Sequence, residues 1–195
     1  MEATAQEVVA VLKEQIAQTR QSLSEAGYDV APVRRRVVAL SQRYGGPALD
    51  VGTGACACMA VDLAHSRLRV TAVDHASSAV RIAQERAVGK LSDHLEVRYT
   101  DATSLPFPDE YYRFIVAFDS LCHAPKLGMV LAEMFRVCAR GGAVVIAELN
   151  QDGRQVTHHH DGGIEKKLFP LLAVHCQGCQ QLNYPHHVVF VCEKA

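Results

Sequence analysis

Apolar residues recur at helical spacing over residues 4 to 26, where Val8, Val9, Leu12, Ile16 and Leu23 stand among Gln, Glu and Lys and Gly27 follows as a stop. A second amphipathic helix is expected from about Val30 to Tyr44, with Pro32 in its first turn, Val33, Val37 and Leu40 on one side, and "YGGP" breaking it. From there the pattern alternates between short apolar runs and amphipathic segments. "PALDV", "RLRVTAVD", "LEVRYTD", "RFIVAFDS" and "GAVVIAELN" read as strands; "ACACMAVDLAH", "SSAVRIAQERAVGK" and "PKLGMVLAEMFRVCA" read as the helices between them, and "ATSLPFPDEYY" as a loop. Strands separated by helices of this length imply parallel crossovers and a doubly wound α/β sheet, in which ligands sit beyond the carboxyl ends of the strands. After Asn150 the chain reads as a polar, histidine-dense loop, "QDGRQVTHHHDGG", then a helix, "IEKKLFPLLAV", kinked or shortened at Pro170. The runs "CQGCQQLNY" and "HHVVFVCEKA" meet at Pro185 with no room for a crossover, so an antiparallel pair is expected.

Composition narrows the class. The 195 residues, 49% hydrophobic, suit one domain over 1–195, with residues 1–44 as an N-terminal helical extension and 45–195 as the core. Twenty Lys and Arg against 21 Asp and Glu leave a net charge of -1, which gives no strong nucleic-acid signal. No apolar run is long enough to span a membrane, and the acidic, amphipathic "MEATAQEVVAVLKEQ" is unlike a signal peptide, so no membrane association and a cytoplasmic location are expected. Seven cysteines, scattered through apolar stretches such as "ACACMA" and "FRVCAR", read as reduced core residues without a disulfide framework.

In "ALDVGTGACACMAVDLA" a buried strand enters a turn on Gly52 and Gly54 and continues at helical spacing. Gly52, Gly54 and Ala57 also satisfy the dinucleotide fingerprint, so a nicotinamide oxidoreductase is one reading of the turn. Asp50 weighs against it, because a pyrophosphate on the helix N-terminus would meet an adjacent like charge. S-adenosylmethionine carries no phosphate and presents a sulfonium and an ammonium, which an acidic residue before the turn favours.

With these residues the chain resembles class I S-adenosylmethionine-dependent methyltransferases, especially the small-molecule type similar to ubiquinone/menaquinone C-methyltransferases. The likeness runs from about Gly45 to Lys194 through "LDVGTGACA", "VTAVDHA", "YTDATSLPFPDEYYRF" and "LAEMFRVCARGGAVVIAE". The resemblance implies a Rossmann-like, mostly parallel seven-stranded sheet with an antiparallel C-terminal strand. It also implies S-adenosyl-L-methionine as cofactor, S-adenosyl-L-homocysteine as product, and a small-molecule acceptor. Asp50, Gly52, Gly54, Asp74, His75, Asp101, Ala102 and Asp119 would then line the cofactor. Asp74 would bond the ribose hydroxyls, and Asp101 with Ala102 would meet the adenine. Two departures stand out: Cys56 replaces the family's usual third glycine and adds bulk at the turn, and Arg113-Phe114-Ile115 replaces the frequent Phe-Asp.

Each carboxylate has a plainer use as well. Asp74 can cap a helix, Asp50 can brace the turn, and Asp101 can close an Asx-turn into "ATS". Methyl transfer from a sulfonium is largely a matter of in-line placement, and a base is needed only when the nucleophile arrives protonated. "FDSLCHAP" sets His123 just past the fourth strand as the candidate base, with a capping role as its alternative. In "HHHDGG", His158 and His160 are further candidates, able to act as bases, to bind an anion or, with His159 and Asp161, to hold a metal. Cys176 and Cys179 form a CxxC followed by His186 and His187, a possible zinc set, although cysteines three apart on a strand would face opposite ways. No metal is assigned on that basis, and the oligomeric state stays open, a dimer included. The N-terminal helices are expected over the cofactor pocket's mouth or simply as cover for the sheet. The alternative to an enzyme is an S-adenosylmethionine- or metal-binding module, using the histidine loop and the CxxC without turnover.

Overall fold

In the computed structural model, described over residues 5–87, 93–157, 163–176 and 178–195, the expected alternation is realised. The elements run α1 (Ala5–Glu25), α2 (Ala31–Tyr44), β1 (Ala48–Val51), α3 (Cys58–His65), β2 (Val70–Asp74), α4 (Ser77–Ala87), β3 (Leu95–Tyr99) and β4 (Tyr112–Phe118). A 3-10 turn, Leu121–His123, leads to α5 (Leu127–Val137), β5 (Cys138–Leu149), α6 (Gln151–Thr157), α7 (Ile164–Leu172), β6 (Cys179–Asn183) and β7 (His187–Glu193). One seven-stranded sheet has the order β3-β2-β1-β4-β5-β7-β6. The first five strands pair in parallel, and β7 lies antiparallel between β5 and β6.

Strand alternation divides the core in two. Phe114 and Val116 of β4, Val145 of β5 and Val189 of β7 face one side, where Val37 and Leu40 of α2 and Ala60 and Leu63 of α3 cover them. Ile115, Ala117, Ile146 and Phe190 face the other, against Leu131 and Met134 of α5 and Leu168 and Leu172 of α7. Both faces of the central strands are buried, which is why these strands read as continuous apolar runs. Each large apolar side chain so buried stabilises the fold by about 1.5–3 kcal/mol.

Three expectations change. "QDGRQVT" is a two-turn helix, not a loop: Asn150 accepts the Gly153 N–H at 2.9 Å as an N-cap and donates its amide to the Tyr184 and Pro185 carbonyls. Gly153 lets α6 dock closely, since a Cβ there would overlap the His186 carbonyl oxygen. The helix over "IEKKLFPLLAV" carries on past Pro170 to Leu172. The cysteines do not all stay single: Cys56 is bonded to Cys58, and Cys179 to Cys192. The second pair follows from register, because Cys179 and Cys192 face each other across β6 and β7 with Cα atoms 4.4 Å apart.

Candidate functional site

The carboxyl ends of β1, β2 and β4 bring the acidic residues together as the pattern predicts. β1 ends at Val51, and the chain turns on Gly52 (φ 75°), whose N–H, with that of Thr53, donates to the Val73 carbonyl. Gly52 is required twice over: its φ is left-handed, and a Cβ would come within 2.5 Å of Ser120 Cβ. Ser120 is fixed there by its hydroxyl, which donates to the Val51 carbonyl. Gly54 (φ 62°) has open space where a Cβ would point, so the turn presents bare backbone to anything bound above it.

Two carboxylates bracket this turn. Asp50 is 1% exposed and accepts the Thr53 hydroxyl at 2.7 Å and the Ala60 N–H at 3.1 Å, tying the turn to the first turn of α3. Burial pushes its carboxyl up to about 6 against the pull of those two bonds, and the neighbouring Asp74 charge adds to the rise. Asp74, also buried, accepts the Gly54 N–H and the Ala76 N–H, one on each oxygen, both at 2.9 Å. His75 is exposed, its Nδ1 3.8 Å from Asp74. Asp101 forms the Asx-turn, its Oδ1 accepting both the N–H and the hydroxyl of Thr103, which holds its carboxyl below the usual range. Ala102 follows half-buried. Its loop is bolted down by Arg136, which donates to the carbonyls of Leu105 and Phe107 and to Glu133 and Asp109.

Asp119 stands in a left-handed conformation (φ 48°), and its carboxylate turns toward two residues that no spacing in the sequence joins to it. His187 Nε2 lies 3.1 Å from Asp119 Oδ2, and the Tyr28 hydroxyl lies 3.2 Å from the same nitrogen and 3.5 Å from the same oxygen. His187 is fully buried, and its Nδ1 and the Asp119 Oδ1 have no hydrogen-bond partner among the described residues. Burial and the Asp119 charge push the Tyr28 phenol well above its ordinary range, so it stays protonated. Tyr28 belongs to the link between α1 and α2, which places the N-terminal extension at the ligand edge. His187 opens β7 opposite Leu149 of β5. Buried Glu148 completes the floor by accepting the N–H groups of Ser120 and Leu121. Tyr28 and Glu148 are not singled out in the sequence; Glu148 alone of the two carries a signal, as an acidic residue near the end of a strand that is otherwise apolar.

His123 stands on the 3-10 turn beside this cluster, at the lip beyond β4. His158 and His160, with His159 and Asp161, lie outside the described residues. Cys56 is half-buried with its sulfur turned to Cys58 across Ala57, which is itself left-handed at φ 44°. The zinc set of Cys176, Cys179, His186 and His187 is not assembled. Cys179 lies near the far end of β7, beside Cys192, whereas His187 begins that strand.

A family model described as a methyltransferase domain matches residues 49–146. Among curated proteins, a phosphatidylethanolamine N-methyltransferase of Cereibacter sphaeroides is 36% identical over 114 residues, 58% of this chain and 55% of that protein. The ubiquinone/menaquinone biosynthesis C-methyltransferase UbiE of Allorhizobium ampelinum is 31% identical over 121 residues, 59% of this chain and 46% of its own. The chain thus spans about half the length of the curated relatives it matches. Among solved structures, an S-adenosylmethionine-dependent methyltransferase from Aquifex aeolicus superposes with a TM-score of 0.66 at 18% identity, covering 87% of this chain and 97% of that one. Magnesium protoporphyrin IX methyltransferase from Synechocystis, solved with bound S-adenosylmethionine, gives 0.64 at 15% identity, covering 92% and 81%. The [4+2]-cyclase SpnF gives 0.66 at 19% identity, covering 93% and 75%. At such identities the likeness is one of fold.

Proposed function

Because this chain belongs to the methyltransferase domain family, we propose that it transfers a methyl group from S-adenosylmethionine to a small-molecule acceptor. The observation that carries the reading is the pair of buried carboxylates around a bare glycine turn. The hydrogen-bond partners of Asp50 and Asp74 are backbone amides and a threonine hydroxyl, so among the described residues no lysine or arginine neutralises either acid. Such a turn repels a diphosphate and favours a cationic, phosphate-free adenosyl compound. The residues fit that group. Each oxygen of Asp74 accepts one N–H and keeps a lone pair for a ribose hydroxyl. Asp101 has Oδ2 left for the adenine amine, with Ala102 beside it, and Gly54 keeps the approach open. Bound S-adenosylmethionine supplies an activated methyl on a sulfonium, so the protein's main task is to align donor and acceptor and keep water out.

Proton removal, where the acceptor needs it, falls to His123, exposed at the lip beyond β4. His187 is fully buried, so with the protonated Tyr28 it holds the Asp119 carboxylate in place and does not itself reach an acceptor. Calorimetry on the purified chain is expected to show S-adenosylmethionine and S-adenosylhomocysteine binding in the micromolar range. Absence of binding, or tighter binding of a nicotinamide dinucleotide, overturns the cofactor. Methyl-labelled S-adenosylmethionine incubated with a cell extract separates the acceptor classes: label in the low-molecular-mass fraction supports a small acceptor, and label only in precipitated protein or nucleic acid refutes it. His123→Ala should lower that transfer at least tenfold, whereas His187→Asn should change it less. The reverse pattern removes His123 from the proton path.

A further inference from the structure

The motif that the site leaves unused is the CxxC. Cys176 follows α7 in a turn and Cys179 is the first residue of β6, so strand alternation does not separate them. Their ligand atoms and that of Cys192 all lie within 4.8 Å of one another, Cys192 fully buried and the other two half-buried. The Cys179–Cys192 bond accounts for two of these sulfurs; the third has no part in it and is nonetheless held in place. The Cys176 thiol donates to the Leu172 carbonyl at 3.3 Å, and the Gly178 N–H points back at its sulfur. His175, just before it, stacks on Phe135 of α5 with ring centroids 5.0 Å apart. Burial raises the Cys176 thiol above its ordinary range, and the Gly178 amide works against that rise by stabilising the thiolate.

We infer that, once reduced, Cys176, Cys179 and Cys192 form a trithiolate site for a soft divalent ion of the zinc type. A metal–sulfur bond of about 2.3 Å sets sulfur–sulfur separations of about 3.8 Å, inside the envelope the three sulfurs already occupy. Three soft sulfur donors exclude magnesium and calcium and suit a d10 ion, which leaves a fourth position for water. The balance is simple: the ion enters, three thiols lose their protons, and the complex carries one negative charge. The disulfide and the metal are mutually exclusive; a dithiol supplies the two electrons and two protons that open the bond, and a phosphine supplies the electrons, becoming the oxide, with water supplying the protons and the oxygen. Cys179 and Gly178 also line a cleft of about 410 Å³, which brings solvent to this corner. Cys192 lies five residue steps along β7 from His187, about 17 Å at extended spacing, so the site braces α7, β6 and β7 and takes no part in chemistry at the other edge.

The test is cadmium titration of the full chain after phosphine reduction and desalting. The expected result is a thiolate-to-cadmium charge-transfer band saturating at one equivalent, displaced by zinc, with a rise in melting temperature. Cys176→Ser should lose the band or weaken affinity at least a hundredfold, and Cys176→Ala, which needs no polar partner, repeats the test on a folded chain. The double variant Cys56→Ser, Cys58→Ser should keep the band. No stoichiometric band in the reduced wild type overturns the site. So does a band that survives both Cys176 variants, or one lost with Cys56 and Cys58.

Discussion

Replacing Asp50 with asparagine tests the electrostatics of the turn. Asp50 is 1% exposed, and its carboxyl is raised from 3.8 to about 6, chiefly by burial. The folded protein therefore holds this proton more tightly than the unfolded chain, so ionising Asp50 costs folding free energy. Its neutral form gives the folded state an advantage that is present below about pH 4, declines between about 4 and 6, and is gone above. At about 1.4 kcal/mol per pH unit, the cost at pH 8 is about 3 kcal/mol. The Thr53 and Ala60 bonds already oppose that rise, so the cost is net of them, and in Asp50→Asn the amide oxygen accepts both. In urea unfolding without cofactor, Asp50→Asn should thus be about 3 kcal/mol more stable than wild type at pH 8, and about equal to it near pH 4. Calorimetry at pH 8 should show S-adenosylmethionine bound at least tenfold more weakly, and wild-type affinity should itself fall below about pH 6. A variant destabilised equally at both pH values, or one with unchanged cofactor affinity, refutes the idea that a destabilising buried charge is kept to select a cation.

Two further perturbations separate geometry from charge. Gly52→Ala meets both a left-handed φ and a Cβ 2.5 Å from Ser120, whereas Gly54→Ala meets only the φ. The first should lose about 3 kcal/mol in urea and be partly rescued by Ser120→Gly, and the second about 1 kcal/mol; equal losses would show that the Ser120 contact is immaterial. Arg136→Lys cannot reproduce the fork that holds two carbonyls and two carboxylates, so about 1–2 kcal/mol of stability should go, with S-adenosylmethionine affinity falling through the Asp101 loop. Calorimetry and urea curves measured on one preparation check both, and unchanged affinity would uncouple Arg136 from the adenine end.

What is legible in the sequence is local and periodic. The continuous apolar runs of β4 and β5 predict strands buried on both faces, and Gly52 and Gly54 announce the turn because a left-handed φ leaves few other residues. Register and long-range meeting are not legible. Tyr28, Asp119 and His187 come together across 91 and 68 residues of chain, and no spacing rule reports that. "QDGRQVT" reads as a loop because its polar composition outweighs the Asn150 cap, whose partner Gly153 lies at the capping distance. Cys176 and Cys179 face apart only on a strand that begins at Cys176; with β6 opening at Cys179, a turn swings Cys176 round to the same side.

The division between shared and particular residues runs along the chain. The family match spans 49–146 and contains Asp50, Gly52, Gly54, Asp74, Asp101 and Asp119, the groups proposed to line the cofactor. Tyr28, Glu148, Asn150 and His187 lie outside it; Tyr28 and His187 meet the Asp119 carboxylate, and Glu148 accepts the N–H groups of Ser120 and Leu121. SpnF, named a [4+2]-cyclase, shares the sheet at a TM-score of 0.66, so the sheet itself cannot dictate what happens to a second molecule bound there. Under the proposed function, selectivity for the acceptor then comes from the flanking segments, where the Tyr28 phenol and the His187 imidazole meet the Asp119 carboxylate.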